Sequence, residues 1–152
     1  MFRGVANLNL DAKGRMAMPV RYRNLLSERF GGKLVVTIDP EACLSIYPFK
    51  TWEEIERKLD RLPTFNPSAR KLQRALIGHA TECDMDGHGR IMLPAPLREF
   101  AGISKKAVLM GQNKKFELWD EQRFEVKRSE WLEGIKDVAA LDLPDEFASL
   151  SL

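Results

Sequence analysis

The sequence has only two histidines and two cysteines among its 152 residues, and no apolar run approaches the roughly 18 residues that a membrane span needs. Cys43 and Cys83 share no close-spaced motif, which favours reduced, buried thiols over a disulfide. The N-terminus lacks the basic start and apolar core of a secretory signal, so a cytosolic protein is expected. There is no nucleophile with a nearby base, no phosphate-binding loop and no pair of carboxylates, which argues against an enzyme. His79, Cys83, Asp84, Asp86 and His88 do fall within ten residues and carry zinc-binding atoms. Strand alternation, however, sends Cys83 to one face and Asp84 and Asp86 to the other, and the matching stretch of the first half has no His or Cys. No metal and no cofactor are expected.

What the chain does contain is the same motif twice. Asp11-Ala-Lys-Gly-Arg15-Met-Ala-Met-Pro19-Val-Arg-Tyr-Arg23 returns as Asp86-Gly-His-Gly-Arg90-Ile-Met-Leu-Pro94-Ala-Pro-Leu-Arg98, at an offset of 75. The copies agree at Asp, Gly, Arg, Pro and the final Arg, with an apolar residue before each Pro. A second echo, at an offset of 72, sets Leu44-Ser-Ile46-Tyr47 against Phe116-Glu-Leu118-Trp119. A period this long indicates a duplicated module rather than a solenoid unit. Each half is too small to bury a core comfortably alone, so the halves are expected to lean on each other with pseudo-twofold symmetry.

The net charge of +2 conceals an asymmetry. Residues 1–76 carry 14 Lys/Arg against 8 Asp/Glu, a net +6, whereas the remainder carries 10 against 14, a net −4. Lys13, Arg15, Arg21 and Arg23 crowd the first motif, and the last sixteen residues are purely acidic through Asp137, Asp142, Asp145 and Glu146. A polyanion partner for the first half and a solvated or self-docking tail follow from this split.

Patterning predicts ββαββ plus a trailing helix in each half, a mainly β fold with helices (α+β). Val5–Leu10 alternates as a strand, Asp-x-x-Gly supplies a hairpin turn, and Arg15–Met18 resumes the strand up to Pro19. Pro19 suits a first helical turn, so a short helix is expected from Val20 to Phe30, ended by Gly31-Gly32. Lys33–Ile38 and Cys43–Tyr47 form a second hairpin. Thr51-Trp-Glu-Glu54 reads as a capping box for a helix with Trp52, Ile55, Leu59 and Leu62 on one stripe. Asn66-Pro67 opens a linker helix with Ala69, Leu72 and Leu76. In the second half, Glu82–Met85 and Arg90–Leu93 flank the turn and Val108–Gly111 pairs with Lys115–Trp119. Asp120 then caps a helix carrying Phe124, Trp131, Ile135 and Val138, with fraying expected beyond Leu141. Trp52, Phe124 and Trp131 are assigned to the core.

An Asp-x-x-Gly turn lets Gly adopt a left-handed backbone, and the Arg that follows sits where the strand restarts. A two-stranded ribbon fits the major groove of B-DNA, where Arg forks onto guanine O6 and N7. Lys13 can neutralise phosphate, while the second copy has His88 in place of that fixed positive charge and is expected to bind phosphate more weakly at neutral pH. Arg15 and Lys13 therefore rank above Arg90. Arg21 and Arg23, on the next helix, either flank the phosphates or cover the sheet with their stems. A simple salt bridge between Asp11 and Arg15 across the turn is the bland alternative.

The two Asp-x-x-Gly-Arg-x-x-x-Pro blocks, Leu44–Pro48, Gly78-His79-Ala80 and Phe116–Asp120 together resemble the MraZ family over nearly the whole chain. That resemblance implies two tandem AbrB-like swapped-hairpin modules, at 1–53 and 77–125, joined by a helical linker at 54–76 and followed by a C-terminal helix and acidic tail at 126–152. It implies a bacterial transcriptional regulator, usually a repressor, of the division and cell-wall gene cluster, associated with the nucleoid. It further implies ring-shaped homo-oligomers on short direct repeats in promoter DNA, and no membrane partner. Carried onto this chain, the DNA-contacting motif falls on Asp11, Lys13, Gly14 and Arg15, with a second copy at Asp86, His88, Gly89 and Arg90. The alternative is a protein-interaction, antitoxin-like module on the same fold, although the full second repeat leaves little room for a dedicated partner-binding domain.

Overall fold

The computed structural model describes residues 1–147. These form an α+β fold with five α-helices and eight strands. The strands are β1 (Val5–Asn9), β2 (Arg15–Ala17), β3 (Leu34–Ile38), β4 (Leu44–Pro48), β5 (Thr81–Glu82), β6 (Arg90–Met92), β7 (Lys106–Gly111) and β8 (Phe116–Asp120). The helices are α1 (Val20–Phe30), α2 (Phe49–Asp60), α3 (Pro67–Leu76), α4 (Ala95–Ala101) and α5 (Glu121–Gly134). Met1–Glu121 make one compact unit and the residues from Gln122 onward a second.

In the first unit the two halves of the sequence are interleaved. Six strands form an antiparallel sheet in the order β1-β7-β8-β4-β3-β5, and β2 pairs with β6 in a separate two-stranded ribbon. Exchanging β1 with β5, β7 with β3 and β8 with β4 maps the sheet order onto itself, which is the pseudo-twofold that the repeat requires. The register places the axis. Met16 faces Ile91 in the ribbon, and Ser45 faces Glu117 in the sheet. These pairs are separated by the sequence offsets of 75 and 72, so each is a residue facing its own counterpart.

The expected hairpin between β1 and β2 is corrected by this pairing. Asp11 N–H still donates to Arg15 O at 2.9 Å, closing the turn, but β1 runs on to pair with β7 from Val5↔Met110 to Asn9↔Lys106, and β2 pairs with β6. Alternating apolar residues fit either partner equally well, and the choice falls to whichever pairing closes the core. The hairpins β3–β4 and β7–β8 form as expected.

One face of the large sheet, carrying Leu34, Val36, Leu44, Ile46, Ala107, Leu109, Phe116 and Leu118, packs against Met16, Met18 and Ile91 of the ribbon segments and Tyr22, Leu26 and Leu97 of α1 and α4. At its centre Phe116 stacks on Phe2 at 4.3 Å and meets the edge of Tyr22 at 4.9 Å. On the other face, Val35, Trp52 and Leu59 form a smaller cluster with Ile55, Leu62, Leu76 and Ile77. On α3, Ala69 is buried and Leu72 is exposed.

The helix starts follow from backbone chemistry. Asn66 caps α3, its side-chain oxygen accepting from Ala69 N–H at 3.0 Å, with Pro67 in the first turn. The capping box at Thr51 does not form, because α2 begins two residues earlier at Phe49, directly after Pro48. Proline fixes φ near −65° and ends the ladder, so the helix nucleates at once. In the second unit, Phe124 and Trp131 meet edge to face at 6.0 Å and Arg128 lies over the Phe124 ring. Helix α5 stops at Gly134, so Ile135 and Val138, expected within it, lie beyond it. Gly134 disfavours continuation, and Asp137 instead accepts from Ala139 N–H to open a 3₁₀ turn at Val138–Ala140. A second such turn spans Asp145–Phe147, and the terminal Ser-Leu-Ser-Leu lies outside the described residues. Among the described residues no helix is long and apolar enough to cross a membrane.

Candidate nucleic-acid interface

The two Asp-x-x-Gly turns are built by the same bonds. Oδ1 of Asp11 accepts from the backbone N–H of Lys13 and of Arg15, both at 2.9 Å, and Oδ2 accepts from Arg15 Nε at 2.6 Å. Oδ1 of Asp86 accepts from the N–H of His88 at 2.8 Å and of Arg90 at 3.0 Å, and Oδ2 accepts from Arg90 Nε at 3.1 Å. Gly14 N–H closes on Asp11 O and Gly89 N–H on Asp86 O, each at 3.0 Å. The spacing is chemical necessity: a carboxylate two residues before one amide and four before another can gather both, leaving its second oxygen for the guanidinium. Gly14 and Gly89 have φ of +81° and +73°, the left-handed region anticipated for the turn.

These bonds shift the carboxyl titrations. The Arg15 backbone N–H, then the Arg15 side chain and the Lys13 N–H, hold Asp11 down to about 2, against an ordinary value of 3.8. Asp86 is lowered for the same reasons, led by the Arg90 N–H. A carboxyl whose folded pKa is depressed contributes stability that is fully present above its unfolded value and lost as pH falls through the folded one. The first turn is therefore expected to hold at pH 4 and to loosen between pH 4 and 2, and the second to loosen likewise as pH falls below the ordinary carboxylate range. Carbon-detected NMR titration of the two side chains checks this, and a midpoint near 3.8 for Asp11 would show that the amides do not hold it.

The salt bridge of the bland alternative exists at both turns, but it engages only Nε of each arginine in hydrogen bonding. The terminal Nη groups, the end of the fork, keep their capacity for a further acceptor, and the buttressed guanidinium has less freedom to lose on binding one. Met16 and Ile91 point into the core, so strand alternation puts Arg15, Ala17, Arg90 and Met92 together on the opposite face of the ribbon. Arg15 faces Met92 and Arg90 faces Ala17 across the ladder. The two arginines are thus diagonal neighbours with backbones about 7–8 Å apart. Lys13 and His88 are exposed at the turns themselves.

Ala17 and Met92 were not singled out by sequence reasoning. The signal was there in their position two residues past each Arg, and Met92 is 49% exposed in a segment where an apolar side chain would otherwise be buried. Arg21 bends back along the chain, with Nη2 3.4 Å from Val5 O and its guanidinium over the Tyr22 ring. Arg23 lies against Gly89 and donates from Nε to Met18 O. Its counterpart Arg98, the last matched residue of the repeat, lies against Gly14 and donates to Leu93 O at 3.0 Å.

The residues weighed as zinc donors separate in space. Cys83 belongs to the main core, its thiol pushed up to about 11 by burial, while Asp84, Asp86, His79 and His88 are exposed. A different group, Asp39, Cys43 and Glu117, converges on the far face of the sheet. There Lys115 already supplies the positive charge, with Nζ 3.6 Å from the Asp39 carboxylate and donating to Ser45 Oγ at 3.1 Å. Both cysteines are free thiols.

Interleaved halves, a six-stranded sheet and a ribbon carrying two Arg-bearing turns define a tandem swapped-hairpin protein of the AbrB-like type. A family model described as "MraZ protein, putative antitoxin-like" matches the chain twice, at residues 1–75 and 76–136. A protein from Thioalkalivibrio sulfidiphilus named transcriptional regulator MraZ is 57% identical, over 91% of this chain and 93% of its own. Proteins of the same name from Halorhodospira halophila and Alkalilimnicola ehrlichii are 54% and 52% identical over the whole of both chains. The chain belongs to the MraZ family, and its role is transcription regulation rather than catalysis.

Proposed function

We propose that this regulator binds promoter DNA in a sequence-specific manner by laying the β2–β6 ribbon into the major groove, with Arg15 and Arg90 reading guanines. The observation that carries this reading is the diagonal pair of arginines on one exposed ribbon face, each buttressed by an aspartate through Nε alone. Their spacing of about 7–8 Å corresponds to roughly two base-pair steps of about 3.4 Å, so one chain can contact two nearby guanines. Lys13, at the tip of the first turn, neutralises phosphate, and Asp11, Asp86, Gly14 and Gly89 shape the turns. His88 contributes less than Lys13 at neutral pH. Arg21 reaches phosphate only by leaving Val5 O, and Arg23 supports a turn rather than the backbone of DNA.

On this reading the protein acts in the cytoplasm, at the nucleoid, as a repressor of the division and cell-wall gene cluster. A ring of subunits engages short direct repeats, so modest contacts at each ribbon add through effective concentration. Repression is then steric.

The test is a mobility shift of a promoter fragment carrying its repeats, across a salt series. Arg15→Ala is expected to cost about 1–3 kcal/mol per subunit engaged, with specificity relaxed at one position. Arg90→Ala should do the same at a position about two base pairs away. Lys13→Ala should weaken all sequences alike and reduce the salt slope by about 0.9 per subunit engaged. Undiminished specific binding by both arginine variants, with oligomer size unchanged on chromatography, would show that the turns are structural and the DNA surface lies elsewhere.

A further inference from the structure

Arg23 and Arg98 end the two copies of the repeat, and each sits on the helix that follows its own turn, yet each guanidinium packs on the glycine of the other half's turn. A methyl group built on Gly14 would stand 2.6 Å from Nε and Cζ of Arg98, and one on Gly89 would stand 2.6 Å from Cδ and Nε of Arg23. Resting on the DNA reading above, we infer that Arg23 and Arg98 are cross-wired positioning residues: Arg98 holds the first turn, and Arg23 the second, in the shape that presents Arg15 and Arg90 to DNA.

The bonds make each clamp a closed circuit. Leu93 N–H donates to Gly14 O at 3.0 Å, and Leu93 O accepts from Arg98 Nε, whose flat face then covers Gly14. In the other half Met18 N–H donates to Gly89 O at 2.9 Å, and Met18 O accepts from Arg23 Nε, which covers Gly89. One residue of the partner half, Leu93 or Met18, is thus bonded through its N–H to the turn and through its C=O to the clamp. A planar guanidinium with fixed donors can lie flat on a glycine while bonding sideways to a carbonyl; the compact ammonium of lysine cannot do both. The repeat therefore needs Gly at the turn twice over, for its backbone angle and for the arginine above it. It also needs Arg at its last position, a residue that neither faces the ribbon surface nor touches its own turn's aspartate.

The experiment begins without DNA. In labelled full-length protein, NMR follows amide exchange at Lys13, Arg15, His88 and Arg90, whose N–H groups feed the two aspartates, together with the titration of Asp11 and Asp86. Arg98→Ala is expected to speed exchange at Lys13 and Arg15 by about tenfold or more and to raise the Asp11 midpoint, with His88, Arg90 and Asp86 as in the parent. Arg23→Ala should do the reverse, and in each variant the undisturbed turn shows that the fold is intact. Arg98→Lys, which keeps the charge but loses the flat fork, should resemble Arg98→Ala. Disturbance of the turn on the same half, equal disturbance of both turns, or none, would overturn the cross-wiring. The same variants then enter the mobility shift, where each is expected to weaken specific binding by about tenfold. If Arg15→Ala lowers DNA affinity and Arg98→Ala does not, the positioning role is overturned. If Arg15→Ala is also silent, the DNA reading itself falls while the crossed exchange pattern would still stand.

Discussion

Phe116→Ala is expected to destabilise the protein by about 3–5 kcal/mol, the range for truncating a fully buried aromatic. Phe116 is completely buried on β8, beside the axis of the sheet, where it faces Ile46 on β4 and Gly111 on β7. Its ring stacks on Phe2 and receives the edge of Tyr22, so it joins the N-terminal segment, α1 and the sheet at one point. Aromatic pairs add roughly 0.5–1.5 kcal/mol beyond the area they bury, and three elements held at fixed distances cannot collapse into the vacated volume. In a chain of this size each kcal/mol lowers Tm by about 2–4 °C, giving a fall of roughly 6–20 °C. Denaturant unfolding should show a lower midpoint with an unchanged slope. A loss under about 1 kcal/mol would mean that the halves are not keyed together there. Tyr22 adds a handle of its own, because its hydroxyl donates to Arg3 O and fixes the segment that carries Phe2.

Gly14→Ala and Gly89→Ala form the second pair of large effects, and here stability and binding should fall together. A left-handed backbone costs an L-residue about 1–2 kcal/mol. The added methyl must also displace the arginine that covers the glycine, breaking a charged donor's bond to Leu93 O or Met18 O at a further cost of about 1.5–3 kcal/mol. Because Gly14 O and Gly89 O are the acceptors that extend the ribbon at each end, the loss reaches both strands. Each variant should lose about 2.5–5 kcal/mol by these terms and should bind promoter DNA more weakly than its stability alone accounts for, measured at a temperature where it remains folded. Specific affinity equal to that of the parent would show that turn shape and DNA contact are separable. A cavity variant such as Phe116→Ala is the control, since it leaves the turns untouched.

Much of the fold was legible before any coordinates. The span of α1, from Val20 to Phe30, follows from Pro19 at one end and Gly31 at the other, and both signals are local. Asn66-Pro67 announced α3 for the same reason. Asp11 and Asp86 could be placed at turns because one carboxylate and a Gly three residues on define such a turn wherever the chain runs. The misses have equally definite causes. Thr51 has the letters of a capping box, but the chain had already turned at Pro48. Ile135 continues the apolar spacing of α5, but Gly134 ends the helix before it. Met92 and Ala17 share a face with Arg90 and Arg15 by alternation, but that this face meets solvent is settled only by the pairing of β2 with β6 over the core.

The sequence by itself determined that this protein is a duplication, that each copy holds an Asp-x-x-Gly-Arg turn, and, through the offsets of 75 and 72, which residues of the two halves are counterparts. Periodicity, proline, glycine and the reach of a carboxylate act over a few residues, and a repeat is visible without any folding. Only the tertiary structure decided that β1 leaves β2 for β7, that the two Arg-bearing strands meet in one ribbon, and that Arg23 and Arg98 cross to each other's turns. Every local rule is satisfied equally by pairing within a half or between halves. The choice between them is made by burial, because strands too short to close a core alone can do so when the halves exchange partners, and burial is a property of the whole chain.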